Sequence, residues 1–167
     1  MMNDFMKLAA LVVFLYVLQT SMLPLIAYHG ISPDLLLLLT VSFAFLRGIK
    51  QGALMGFAAG LLQDLATGTF FGMNAFTHTI FGLICGQLSE SVFKEIFLLP
   101  VLSSIAVTIA NYFILAVLMV LLGYRFNLMG GTEVMLVPML IYQLAFAYPV
   151  HRLVYAVDKQ LKDKDKH

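Results

Sequence analysis

Three polar side chains interrupt the apolar middle of the chain at spacings that could support chemistry. Asp64 ends one apolar segment, and Asn74 and His78 lie one helical turn apart in the next. At 1.5 Å per residue, Asp64 lies roughly 20 Å above the cytoplasmic end of its segment, in the outer half of a ~30 Å hydrocarbon core. We expect the three to form one polar cluster between the third and fourth helices. Such a cluster could fix the packing by an interhelical hydrogen bond, or form a functional pocket or partner contact.

Asp34 is a fourth candidate. The run Ser32-Pro33-Asp34 is typical of a helix start, with Ser32 as N-cap, a proline at the first helical position and an acid in the first turn. There the carboxylate would complement the helix dipole at the outer surface. It could also receive a basic group of a partner. Further interhelical hydrogen-bonding groups are expected at Thr108, Asn111 and Gln143.

The two segments that must position this cluster carry small or polar residues at four-residue intervals. These are Gly48, Gly52, Gly56 and Gly60 before Asp64, and Asn74, His78, Gly82 and Gly86 before Glu90. Successive members lie about 40° apart on an α-helix, so each series shares one face. Glycines on such a face let another backbone approach closely. The pattern favours packing of the third helix on the fourth within the chain, with docking of a helix from another protein as the alternative.

The amino-acid composition indicates a membrane protein. Of 167 residues, 61% are hydrophobic and 11% charged, with a mean hydropathy of +0.93, whereas soluble domains carry about 25% charged residues. Nucleic-acid binding is disfavoured because no basic patch is interleaved with exposed aromatics. The lone Cys85 permits neither an intrachain disulfide nor a structural zinc site, and no metal or cofactor is expected.

Six apolar segments predict an all-α integral membrane protein of six transmembrane helices, at about 5–27, 32–46, 50–66, 73–89, 97–122 and 133–157. Residues 1–157 then form one membrane domain, and 158–167 form a charged, solvated cytoplasmic tail. Residues 90–99 would be an interfacial turn or a docking patch.

The placement of basic residues predicts the orientation. With six crossings, nine lie on one side and only Arg125 on the other, which places both termini in the cytoplasm. The nine are Lys7, Arg47, Lys50, Lys94, Arg152, Lys159, Lys162, Lys164 and Lys166. A five-crossing arrangement, with 32–46 lying in the interface, gives a split of eight to two and stays open.

No enzyme signature accompanies the polar residues. The chain lacks a G-x-S-x-G elbow, an H-E-x-x-H helix and a phosphate-binding G-x-x-x-x-G-K-[ST] loop. Asp64 and His78 could shuttle protons, but one such pair without a nucleophile specifies no reaction. We therefore expect a protein that is not an enzyme.

A family resemblance adds to this interpretation. The stretch Ser32-Pro33-Asp34-Leu35-Leu36-Leu37, then Arg47-Gly48, and the glycine run through Gly60 to Gln63-Asp64, resembles the bacterial rod shape-determining MreD family. The resemblance covers essentially the whole chain. Its pattern maps here onto Pro33, Asp34, Arg47, Gly48, Gly60 and Asp64, and Gly72 and Asn74 extend it.

The resemblance implies a multi-pass protein of the bacterial inner membrane that binds the single-pass protein MreC. Indirect partners are the actin-like MreB and the RodA-type polymerase with its transpeptidase. It also implies a fold similar to the substrate-binding subunits of energy-coupling-factor vitamin transporters. We therefore expect a scaffold of wall elongation, in which an outer-facing groove lined by Asp34, Asp64 and Asn74 receives a partner segment. A vitamin-binding transporter subunit is the alternative.

Overall fold

A computed structural model describes residues 2–27, 31–68, 71–91, 99–123 and 128–164, and this part of the chain is helical without a strand. The helices are α1 Met2–Val17, α2 Leu35–Arg47, α3 Ile49–Thr67, α4 Met73–Ser91, α5 Leu99–Leu121 and α6 Leu128–Lys164. A π-helical turn, Leu18–Met22, and a 3-10 turn, Leu23–Leu25, extend α1. The all-α prediction is confirmed.

The short helix α2 is the centre of the molecule. Every side chain from Leu35 to Ala44 is buried, and α1, α3, α4, α5 and α6 all pack against this helix. Its 13 residues span roughly 20 Å, less than a hydrocarbon core. Because the other helices enclose it, α2 does not have to match the bilayer thickness itself. This enclosed position also differs from the interfacial position that the five-crossing alternative gave to 32–46.

The helices α2, α3 and α4 form two consecutive antiparallel pairs. Gly48, with φ of +82°, closes α2 and opens α3 without any further linking residue. A positive φ favours glycine, because glycine has no Cβ that would clash with the backbone. Gly48 therefore makes the turn, and it also belongs to the predicted packing stripe, because a Cβ added to Gly86 would lie 2.8 Å from the carbonyl carbon of Gly48.

The long helix α6 runs parallel to α2 and contacts it near both ends. Gln143 meets Asp34 at one end, and Asp158 meets Arg47 at the other. The predicted boundary between helix and tail at 157 is not observed, because α6 continues through Lys164. Asp158 and Leu161 are each only 2% exposed. The pairing with Arg47 explains why this part of the predicted tail packs on the bundle.

Among the described helices, two stretches are long and apolar enough to cross a membrane, Met6–Leu25 and Leu99–Leu121, and Leu35–Arg47 is a shorter apolar helix. Crossing by the other helices stays a prediction. The predicted interfacial stretch 90–99 falls mostly outside the described residues, as do Lys94, Arg125 and Lys166.

Candidate functional site

The glycine series of α3 and α4 face each other across a close-packed seam. A Cβ added to Gly56 would lie 2.7 Å from the carbonyl carbon of His78, and one on Gly60 would lie 2.6 Å from Cα of Ala75. From the other side, a Cβ on Gly82 would lie 2.6 Å from the carbonyl carbon of Gly52. Gly86 faces the start of α3 in the same way. The stripe therefore packs one hairpin of this chain upon itself.

Asp64 closes the hairpin at the end where α3 turns into α4. Its Oδ1 accepts from the backbone N–H of Asn74 at 3.0 Å and from the Asn74 side-chain amide at 2.9 Å. Its Oδ2 accepts from the N–H groups of Gly72 at 3.0 Å and Ala75 at 2.9 Å. An acid from α3 thus satisfies the unpaired donors at the start of α4, where the helix dipole also favours negative charge. Asp64 is 1% exposed and fully engaged by its own chain.

Asp34 is the N-cap of α2. Its Oδ1 accepts from the N–H of Leu37 at 2.9 Å, and its backbone is extended, as an N-cap requires. The sequence pattern had placed the cap at Ser32 and Asp34 inside the first turn. The helix starts later because Asp34 itself can reach the donor three residues on. Asp34 is 8% exposed, so its carboxylate is buried in the bundle and is not open to a basic group of a partner.

Two glutamines from distant helices complete the start of α2. Gln143 of α6 accepts from the N–H of Asp34 at 3.0 Å and donates to its carbonyl at 3.1 Å. Gln19, in the π-helical turn, accepts from the N–H of Leu35 at 2.8 Å and of Leu36 at 3.3 Å. The backbone N–H groups of residues 34–37 therefore all donate to side-chain acceptors. In an apolar environment an unpaired N–H group would be unfavourable. Sequence analysis expected a hydrogen-bonding role for Gln143 and missed Gln19, whose only signal is a polar residue in an apolar helix.

His78 joins Asp34 rather than Asp64. Its Nε2 lies 3.4 Å from Oδ2 of Asp34, and Gln63 donates from its side-chain amide to the same oxygen at 3.4 Å. Among the described residues no hydrogen bond links His78 to Asp64. The predicted cluster is therefore two sites, Asp64 with Asn74 and Asp34 with His78. The reason is that the four donors at the start of α4 already occupy both oxygens of Asp64.

A second polar contact lies at the opposite end of α2. The Arg47 side chain donates from Nε to Oδ1 of Asp158, and its guanidinium carbon lies 5.7 Å from the centre of the Phe43 ring. Lys162 Nζ lies 2.8 Å from the other oxygen of Asp158. The side chain of Asp158 is 2% exposed and that of Arg47 19%, so this is a largely buried ion pair. The contact fixes α6 against the cytoplasmic end predicted for α2.

The arrangement limits what these residues can do chemically. Asp34, Asp64 and His78 are buried and point into the bundle, whereas the expected groove required carboxylates that face outwards. Among the described residues, no three His, Cys, Asp or Glu side chains come together as a metal-binding group. The geometry supports locking of the neighbouring helices at both ends of α2.

Comparison with known proteins provides the identity. The family described as rod shape-determining protein MreD matches residues 1–158 of the 167-residue chain. No curated protein and no solved structure matches it. The family match runs from α1 into α6 and includes the buried Asp34 and Asp64 and the partly buried Arg47. The chain therefore belongs to the MreD family, whose members determine rod shape.

Proposed function

We propose that this chain is a non-enzymatic, multi-pass scaffold of the bacterial inner membrane that binds MreC in the wall-elongation assembly. The observation that carries the proposal is the family match over residues 1–158. The scaffold has six transmembrane helices, both termini in the cytoplasm, and one membrane domain. MreB and the RodA-type polymerase with its transpeptidase are indirect partners, and lipid surrounds the bundle.

The use that the chain makes of its polar groups supports a scaffold. Both carboxylate oxygens of Asp64 accept hydrogen bonds from the start of α4, and Asp34 caps α2. Arg47 and Asp158 join α2 to α6. Buried polar groups that are satisfied inside the chain hold a bundle in one arrangement. A scaffold needs such a fixed shape, because its partner must find the same surface each time.

We place the docking surface for MreC at the outer end of the α3–α4 hairpin. Phe71 in the turn is 73% exposed, and Phe76 in the first turn of α4 is 57% exposed. Both lie next to the Asp64–Asn74 contact, which holds the turn in place. Rigid aromatic side chains on a fixed backbone are the usual anchors of protein interfaces. The buried carboxylates then act by positioning this surface and do not contact the partner themselves.

The experiment is recovery of MreC with the tagged chain from its native membrane. Phe76→Ala should lower recovery, whereas Phe113→Ala should leave it unchanged. Phe113 is a matched control because it is 46% exposed on α5, away from the hairpin. Equal recovery with both variants contradicts the docking surface. Absence of MreC from the wild-type preparation contradicts the scaffold itself.

The same preparation distinguishes the alternative of an energy-coupling-factor vitamin transporter subunit. That function predicts paired ATPases and a second membrane subunit in the eluate, together with a bound vitamin. The scaffold predicts a single-pass protein with a large extracytoplasmic part. Mass spectrometry of the eluate identifies either set directly.

A further inference from the structure

The α3–α4 hairpin is attached to α2 by two kinds of contact. Along the middle of the helices the contact is apolar and close: a Cβ on Gly52 would lie 2.5 Å from Cβ of Ala44, and one on Gly56 would lie 2.9 Å from Cγ2 of Thr40. At the outer end the contact is polar, because His78 and Gln63 both approach Oδ2 of Asp34. Asp34 is therefore the polar attachment point of the hairpin at that end.

His78 is unusual among the polar side chains of this region. It is fully buried, and neither ring nitrogen makes a hydrogen bond with standard geometry within the described residues. The Asp34 carboxylate is a close polar neighbour, with Oδ2 lying 3.4 Å from Nε2. A buried carboxylate is stabilised by a positive charge beside it and strongly destabilised when that charge is removed. Histidine is the side chain that ordinarily gains and loses a proton between about pH 5 and 8.

Among the described side chains, no further charged group contacts this pair. On α3, Gln63 is neutral, and Asp64 is bound to the start of α4. Gln143 of α6 and Gln19 of the π-helical turn are neutral amides that bind backbone groups of α2. On α5, the buried polar side chains are neutral too: Ser104, Thr108 and Asn111. Among the described residues, a proton on His78 is thus the available counter-charge for Asp34.

We propose that Asp34 and His78 hold one proton between them and form a proton-dependent clasp between α2 and the α3–α4 hairpin. With the proton bound, imidazolium and carboxylate neutralise each other. When the proton leaves His78 for water, the carboxylate stays buried without a counter-charge, and the outer end of the hairpin is held less firmly. The clasp concerns the chain alone and does not depend on the identity of a partner.

The first test is thermal unfolding of the full chain in detergent micelles between about pH 5 and 9. The clasp is fully formed when His78 is protonated, so the unfolding midpoint of the wild type should fall as the pH rises. Asp34→Asn and His78→Gln should each lose this pH dependence. All three proteins are compared in a His151→Gln background, because His151 is a second buried histidine, on α6, that would add its own pH dependence to the slope. A slope that survives in both clasp variants overturns the proposal.

The second test reads the proton directly and does not need the clasp variants to fold. Replacing His29, His151 and His167 by Gln leaves His78 as the one histidine, because the chain has four. Its ring ¹⁵N signals should report a change of protonation state within the same pH range, and adding Asp34→Asn should move that change. A ring that stays in one protonation state from about pH 5 to 9 overturns the proposal. So does a folded Asp34→Asn variant with an unmoved transition.

Discussion

The Gly56 position offers the sharpest test of the helix packing. A side chain there would enter a gap with two walls, the backbone of His78 on α4 and the Thr40 side chain on α2. The first wall is the closer and the less able to move, because it is backbone within a helix. Gly56→Ala should therefore destabilise the fold, although alanine is the better helix former by about 1 kcal/mol.

The magnitude follows from the distances. The added carbon would lie 2.7 Å from the His78 carbonyl carbon, whereas carbon atoms pack at about 3.5–4.0 Å, so α3 and α4 must separate by about 1 Å. A gap of that size forfeits about a quarter to a half of the dispersion energy along the whole seam. Overpacking in cores costs about 1–3 kcal/mol, and a rigid wall puts Gly56 at the upper end. The better helix propensity of alanine offsets about 1 kcal/mol of this cost. Gly56→Ala should therefore lower the free energy of unfolding by about 2 kcal/mol, and Gly56→Leu should lower it by more.

The assay is equilibrium unfolding of the purified chain in mixed micelles, titrated with a denaturing detergent and followed by circular dichroism. Ala58→Leu is the control, because Ala58 lies on the exposed face of the same helix and should change the free energy by less than about 0.5 kcal/mol. An unchanged or higher stability of Gly56→Ala would refute close packing at the seam. So would an equal loss in both Leu variants.

Three further predictions use the same unfolding assay. Asp64→Asn replaces one acceptor oxygen with a donor opposite buried N–H groups and should lower the free energy of unfolding by about 2–4 kcal/mol. A loss below about 1 kcal/mol would contradict the role of Asp64 at the start of α4. Arg47→Met removes the arginine partner of Asp158 and should lower the free energy of unfolding by about 1–3 kcal/mol. The double variant Arg47→Met with Asp158→Leu should regain most of that loss, because no buried charge is then left unpaired. Additive losses from the two substitutions would contradict a buried pair. Gln19→Ala leaves two buried donors at the start of α2 unpaired and should cost about 2 kcal/mol, whereas the exposed Thr20→Ala should cost less than 0.5 kcal/mol.

Much of the fold follows from local patterns in the sequence. The four-residue intervals predicted that Gly56 and Gly82 lie on single helix faces, and the structure places those faces against each other. The acid after Pro33 predicted a helix start, and the structure moves the cap by two residues. Each of these features depends on residues within a few turns of one another, where helical geometry fixes the spacing.

The choice of partners could not be predicted in the same way. Asp64 and Asp34 are both acids near helix ends, and nothing in their spacing assigns His78 to one of them. Which carboxylate His78 contacts depends on which donors already bind each acid. For Asp64 these donors include the backbone N–H groups of Gly72 and Ala75, which follow the turn between α3 and α4. Asp158 looked like the start of a solvated tail because its lysine neighbours are typical of one. Its pairing with Arg47 joins residues 111 positions apart.

By itself, the sequence determined an all-helical chain of membrane-like composition, with a close-packed pair of helices and acids at defined helix ends. Those properties come from composition and from the 3.6-residue period, which each segment carries without reference to the others. Only the tertiary structure decided that α2 is enclosed, that Gln19 and Gln143 complete its first turn, and that His78 belongs to Asp34. The physical reason is that buried polar groups must be satisfied within the bundle, and which groups can satisfy them depends on how all the helices pack together.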